Sequence, residues 1–421
     1  MIPIRSNIPM FMLLFVLSGA AAASAEPADS AAATPPGLSY TLDATASYHT
    51  TDRAYFAPGV AHWGEGFVRG RLMHTFPALV QVTAGGVLLG TSGTDYYGVK
   101  DEQDGLLDQV AVSASDIAGS GVSLTVGRQS LQLGTGFLVG DGYLDHRAAL
   151  WNIPLSFYDG VTFGWTKGTA SLTAFGVDYS PSFENALGAR PDGQIFGVEA
   201  GWTRSEGNEL ALAYLRRHDS SVMEDRSQAV SLRGGWASGA FAVAGEAVLE
   251  SGTRAGTDLA GHGGHVAATW TGDMRWQPTL KAEYFLFSGD DQTTSEDESY
   301  DPWQFVWSDW STYYVADLLG STVGTSSNMR IALLQVGVTP REGTGLRVLA
   351  HRLDRDLADI RPFGYEIDAV LDQSIGEHWT AWIMGGLVTP LSAAELEFGS
   401  GERSTQLFAS VSYKFGGRLG H

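Results

Sequence analysis

Arg69 and Arg71 stand one glycine apart, flanked by Val68 and Leu72. In an extended strand that spacing puts both guanidinium groups on one face and their apolar neighbours on the other. The same setting holds Arg233 between Leu232 and Gly234, Lys281 between Leu280 and Ala282, and Arg347 between Leu346 and Val348. Glu199, Glu246, Glu283, Glu366 and Asp368 are spaced in the same way. Such a face can pair its own charges and can hold and release a charged solute. Arginine suits that task, because its planar fork grips carboxylates and never loses its proton. Covalent chemistry is poorly served. Serines are plentiful, and His74, His218, His265 and His351 lie on or near these segments, but no Gly-x-Ser-x-Gly turn occurs to set a nucleophile beside a base. His265 and His351 read as solvated, and His74 falls on the apolar face. The chain has no cysteine, which removes thiolate catalysis, disulfides and cysteine-zinc sites together. The expectation is no enzyme, no cofactor and no metal. A net charge of −21 argues against nucleic acid as a partner, which needs a basic face.

The elements that position these groups show period-two alternation along most of the chain. Val230-Ser231-Leu232-Arg233-Gly234-Gly235-Trp236 is one case, and Leu407 to Phe415 is another. About 18 such segments follow one another, the first near 38–50 and the last near 403–415. No long stretch has helical periodicity. The connectors alternate in length. Short ones lie around Pro77, Gly119, Gly168, Gly207, Gly239, Asp273, Glu342 and Gly376. Long ones occupy 51–65, 91–104, 133–156, 180–192, 251–261, 289–328 and 390–402. An up-and-down outer-membrane barrel sorts its connectors this way, with short periplasmic turns and long external loops. The predicted fold class is therefore all-β, a transmembrane up-and-down antiparallel β-barrel of about 18 strands over 38–415, with a tail at 416–421. An arginine facing lipid at mid-bilayer costs about 2–4 kcal/mol, so the charged face must line the lumen. A barrel of this size is wide enough for an aqueous channel. Trp165, Trp202, Trp236 and Trp270 each stand shortly before a short turn. They predict an aromatic girdle at the periplasmic interface.

Residues 1–25 read as a secretory signal. Arg5 provides the positive end, Phe11 to Val16 opens the apolar run, and Ala23-Ser24-Ala25 supplies the small residues of a cleavage site. Residues 26–37, rich in Ala and Pro, read as a linker. After Ala25 no apolar run reaches the length of a membrane-spanning helix. A receptor-transporter with a large N-terminal plug is excluded by the short distance to the first strand.

The 289–328 loop carries Trp303, Phe305, Trp307, Trp310, Tyr313 and Tyr314. It is the best sequence candidate for a constriction or gate, either folded into the mouth or stacked on sugar rings. Asp290, Asp291, Glu296, Asp297, Glu298 and Asp301 open the same loop. They could ligate Ca²⁺ through oxygens, but they lack EF-hand spacing and read as a solvated acidic loop.

Four motifs resemble those of the alginate export family of outer-membrane barrels. They are Gly127-Arg128-Gln129, Tyr158-Asp159-Gly160-Val161, Phe287-Ser288-Gly289-Asp290-Asp291 and Gly364-Tyr365-Glu366-Ile367-Asp368. The resemblance implies an outer-membrane pore for passive passage of an anionic polysaccharide or acidic oligosaccharide. Arginines would line the pore, with carboxylates holding them in place and with periplasmic export components as possible partners beside outer-membrane lipid. It points to Arg128, Asp159, Glu366 and Asp368, and to Arg147 in the loop between the first two motifs. Strand parity alone puts Arg128 with Leu124 and Val126, toward lipid, so either a bulge at Gly127 re-aims it or it sits at the membrane edge. The alternatives are a general or small-solute porin, which shares every fold argument, and a barrel enzyme.

Overall fold

The structure is a computed structural model that describes residues 36–53, 58–77, 79–94, 103–134, 136–139, 143–144, 153–154, 158–179, 193–219, 225–254, 256–300 and 327–419. Of the segments expected to be a signal, 1–25, and a linker, 26–37, the first lies wholly and the second mostly outside these residues.

Eighteen long strands form one closed antiparallel sheet. They are β1 Gly37–Asp52, β2 Val60–Thr75, β3 Val80–Thr94, β4 Gln103–Ala114, β5 Val122–Gln129, β6 Tyr158–Lys167, β7 Ala170–Tyr179, β8 Gly193–Ser205, β9 Asn208–Asp219, β10 Asp225–Ser238, β11 Phe241–Arg254, β12 His262–Thr271, β13 Thr279–Phe287, β14 Met329–Arg341, β15 Thr344–Arg355, β16 Pro362–Ile375, β17 Trp379–Pro390 and β18 Ser404–Leu419. Each pairs with its sequence neighbours, and β1 pairs with both β2 and β18. Closure leaves no free edge, which lipid would not tolerate. At the seam, the ring of His49 on β1 stacks on Trp63 of β2 at 4.6 Å and tilts against Phe408 of β18 at 4.6 Å. His49 Nε2 meets Glu65 Oε1 at 2.8 Å.

Two boundaries differ from the sequence reading. β2 starts at Val60, because Trp63, Glu65 and Phe67 continue its inward face. β18 runs to Leu419, paired with Leu38, so most of the expected tail is strand. The sorting of connectors by length is also looser than expected. The 220–224 and 356–361 connectors are short although they lie on the external side, and 115–121 and 272–278 are longer than the other turns on their own side.

The outward face is the apolar one. On β9 and β10 it presents Leu210, Leu212, Tyr214, Val230, Leu232 and Trp236, all exposed. On their strands, Trp165, Trp202, Trp236 and Trp270 share parity with these residues and stand at the ends where the short turns lie. From Gln228 to Trp236 the belt on β10 is about 20 Å tall, at about 3.3 Å per residue and a tilt near 40°. That is close to the ~25 Å expected of an outer-membrane barrel.

The inward face holds the core. Buried apolar residues include Phe175, Ile195, Leu215, Phe285, Phe287, Ile331, Leu349, Leu353 and Met384. Two connectors cover them from the external side. The segment after β5 brings in Leu131, Leu133, Phe137, Leu138 and Val139, all buried. The connector after β17 forms α1, Ser392–Phe398, with Ala393 and Ala394 buried and Phe398 packed edge-on against Phe363.

Candidate functional site: a charged lumen crossed by a loop

Arg69 and Arg71 point inward from β2 and converge on one carboxylate. Arg71 Nε lies 2.6 Å from Asp108 Oδ2, and Arg69 Nε lies 3.4 Å from the same oxygen. Asp108 is on β4, so both arginines must reach across β3. Gly85 makes this possible for Arg71. It sits directly opposite Arg71 in the register, and a Cβ there would come within 2.6 Å of Arg71 Cγ. Asp108 faces inward because the β3–β4 register slips at this point: Gly85 pairs with Gln109, but Gly86 pairs with Leu107. The extra residue of this β-bulge is Asp108.

A second group runs across β8 to β13. Arg233 grips Glu199 with both terminal nitrogens, at 3.0 and 3.4 Å, and its Nε stands 3.7 Å from Glu209. Arg233 is opposite Glu246, and Glu246 is opposite His265. Ser231 donates a 2.5 Å hydrogen bond to Glu246. His265 Nδ1 lies 3.1 Å from Glu283, whose other oxygen takes Lys281 Nζ at 2.8 Å. Further round, Arg347 bonds Asp372 at 2.9 Å. Arg69, Arg71, Arg233, Lys281 and Arg347 thus each have a carboxylate neighbour.

His351, Glu366 and Asp368 form a third group, all buried, with one donor atom from each within 4.8 Å of the others. His351 Nδ1 stands 3.5 Å from Asp368. This is the set among the described residues that could hold a divalent cation. His265 and His351 are therefore not the solvated residues expected from sequence. Each is enclosed and set against a carboxylate.

Several expectations are corrected. Arg128 does not line the lumen. Leu124 and Val126 share its outward face, and the β4–β5 pairing runs through Gly127 without a slip, so no bulge turns it. Its fork meets Asp159 at 3.0 and 2.6 Å, and Asp159 shares the outward parity of Val161. This pair lies on the external rim, outside the barrel. Arg147, Trp303, Trp307, Trp310 and Tyr313 lie outside the described residues.

The described segment that crosses the lumen comes from the loop after β5. Phe137 stacks on His265 of β12 at 5.2 Å and on Phe287 of β13 at 6.1 Å. Gly134 lies over the Arg233 guanidinium of β10, so close that a Cβ would meet Nη1 at 2.1 Å. Those strands face β5 from the far side of a closed ring, so the loop spans the interior. Tyr300, the one aromatic of the 289–328 loop among these residues, is buried and packs on Phe137 at 5.9 Å and Phe287 at 5.5 Å.

The acidic start of that loop folds on itself. Asp291 accepts from the backbone and hydroxyl of Thr293, which holds its carboxyl below the ordinary value. Glu298 accepts from Thr294 and is lowered likewise. Asp297 accepts from Ser299. These carboxylates spend their oxygens on turns, in keeping with a solvated loop.

No family model and no curated protein matches its sequence. Solved structures do match in fold, and they are outer-membrane porins. OccK9 (OpdG) of Pseudomonas aeruginosa gives a TM-score of 0.61 at 12% identity, over 90% of this chain and 98% of that one. OccK8 (OprE) of the same organism gives 0.59 at 13%, over 90% and 98%. OpdK of P. aeruginosa with vanillate gives 0.57 at 13%, over 90% and 99%. The chain has the closed 18-strand barrel of these porins. The likeness is one of fold, and nothing in it bears on alginate export. Of the motifs that resemble that family, the Arg128–Asp159 pair belongs to the outer surface.

Proposed function

We propose that the protein is an outer-membrane diffusion channel of a Gram-negative bacterium, passing small solutes. The observation that carries this reading is the segment after β5, whose Gly134 and Phe137 reach Arg233, His265 and Phe287 across a closed, charge-lined barrel and so stand in the path through it. A wide pore for a polymer has no use for such an obstruction. Paired charges along the wall suit transit, because a solute exchanges with partners already in place and no one site holds it. The vanillate in the OpdK structure makes small organic acids the first class to try. An acidic oligosaccharide is the second reading, favoured by the convergence of Arg69 and Arg71 at one level of the lumen.

Planar-bilayer recordings test both. Purified protein in a KCl gradient gives conductance and ion preference, and benzoate-type anions, mannuronate oligomers and neutral dextrins are then added in turn. Concentration-dependent block by small acids alone supports the small-solute channel. Block by acidic oligomers alone supports the second reading. Absence of conductance sinks both.

A further inference from the structure

His351 and Glu366 stand directly opposite each other where β15 pairs with β16, and Leu349 stands opposite Asp368. Glu366 and Asp368 are two positions apart on β16, so both project inward, beside the imidazole. The surroundings are dry. Leu349, Leu353, Val370, Met384 and Val388 are each exposed by 2% or less. His351 is 2% exposed, Glu366 1% and Asp368 0%. Carboxylates leave water at a high cost unless a cation compensates them, and here two lie side by side.

The arginines of β15 are committed to other carboxylates. Arg347 bonds Asp372, Arg352 bonds Asp354 and Arg355 bonds Glu397. Neither oxygen of Asp368 has a hydrogen-bond partner. The nitrogen beside it, His351 Nδ1, is 3.5 Å away, longer than the about 2.7–3.2 Å of a hydrogen bond. That separation suits two ligands of one ion. Atoms bound to a tetrahedral ion at about 2.1 Å lie about 3.4 Å from each other. Donors from all three residues fall within 4.8 Å of one another, so small side-chain rotations close the set. Neither Glu366 nor His351 has to give up another partner to join it. A carboxylate has a second oxygen, and a ligating histidine donates its other ring N–H to a neighbour.

We propose that His351, Glu366 and Asp368 bind a divalent first-row transition-metal ion such as zinc. One imidazole nitrogen with carboxylate oxygens fits such an ion. Calcium, which takes about six to eight oxygens, fits less well. The charge of the ion balances the two carboxylates while the imidazole stays neutral. Three protein residues leave a coordination position open to water or to an anionic group of a solute. The site does not depend on which solute the channel passes.

Zinc binding by the full-length protein, purified without a histidine tag, tests the site. The folded protein in detergent is stripped with a chelator, given zinc chloride and desalted, and its zinc is counted by elemental mass spectrometry. Titration calorimetry gives the affinity. Wild type should hold one zinc per chain. Changing a residue that only supports a metal ligand costs about 10–100-fold in affinity. Loss of a ligand, in Asp368→Asn or His351→Gln, should cost at least as much. His74→Gln, on the outward face of β2, should keep both stoichiometry and affinity. Heat-modifiable gel migration shows that each variant folds, and either ligand variant suffices if the other does not fold. Absence of retained zinc in wild type would overturn the proposal. So would an affinity unchanged in the ligand variants, since the zinc would then sit elsewhere. Displacement of zinc by an equal concentration of calcium would also overturn it, because an all-oxygen site would then be at work.

Discussion

Asp108 is the carboxylate on which Arg69 and Arg71 converge. It is fully buried, and two guanidinium groups share one of its oxygens. Asp108→Asn keeps the shape and removes the charge, which frees Arg69 and Arg71 to act on passing ions. The reversal potential in a KCl gradient should move toward the chloride limit, and Arg71→Gln should move it the other way. The same substitution weakens charge-assisted hydrogen bonds, at about 1–3 kcal/mol, readable as a lower melting temperature. Sequence alternation was enough to find both arginines, since each sits alone among apolar neighbours. It missed Asp108, although a signal was present. Leu106-Leu107-Asp108-Gln109-Val110 doubles first the apolar and then the polar residue, which is how one extra residue in a strand looks in sequence. Arg128 is the opposite case. Its parity with Leu124 and Val126 already placed it outside, and only the motif resemblance pointed inward.

At the scale of elements, the strands were legible because a barrel leaves them little choice: one face meets lipid, the other water or core, and the period is two. The loops obey no such rule. Phe137, one aromatic in the loop after β5, crosses the lumen, and its sequence context gave no sign of it. What decides this is a partner surface. His265, Phe285 and Phe287 offer Phe137 a stacked aromatic wall, and that surface exists only once the barrel has closed. Phe137→Ala removes packing worth about 3 kcal/mol. The loop should undock, conductance should rise, and protease should cleave between residues 130 and 157 faster than in wild type. Gly134 tests the same docking from the other side. It has a φ of +57°, in the left-handed region that favours glycine, and its hydrogen faces Arg233. Gly134→Ala should push the guanidinium off Glu199 and change ion preference as Arg233→Gln does. The double variant should add nothing to either single change, which is the signature of two residues acting through one contact.

For the whole molecule, the net charge of −21 says little about the pore, because charge is sorted by surface. The lumen carries paired ions, the external side carries much of the surplus acid, and the belt between the Gln228 and Trp236 levels carries none on β9 and β10. That sorting follows from the cost of charge in lipid, which falls from about 2–4 kcal/mol at mid-bilayer to about 0–1 near the interfaces for arginine. Leu212 lies at the middle of the belt, opposite Ala200 and Leu232. Phe196 lies opposite Arg216 at the external boundary. Leu212→Arg should therefore cost about 2–4 kcal/mol and Phe196→Arg about 0–1 kcal/mol, measured by reversible folding into lipid vesicles with denaturant. Both residues are large, apolar and exposed on the same face of adjacent strands. A soluble barrel would tolerate the two changes alike, or would prefer the leucine variant, since that side chain packs on nothing. A large gap between them with Leu212 the costlier therefore reports the depth of the bilayer itself. Equal costs would mean that the apolar belt faces something other than lipid, and the membrane placement on which the channel rests would fall with it.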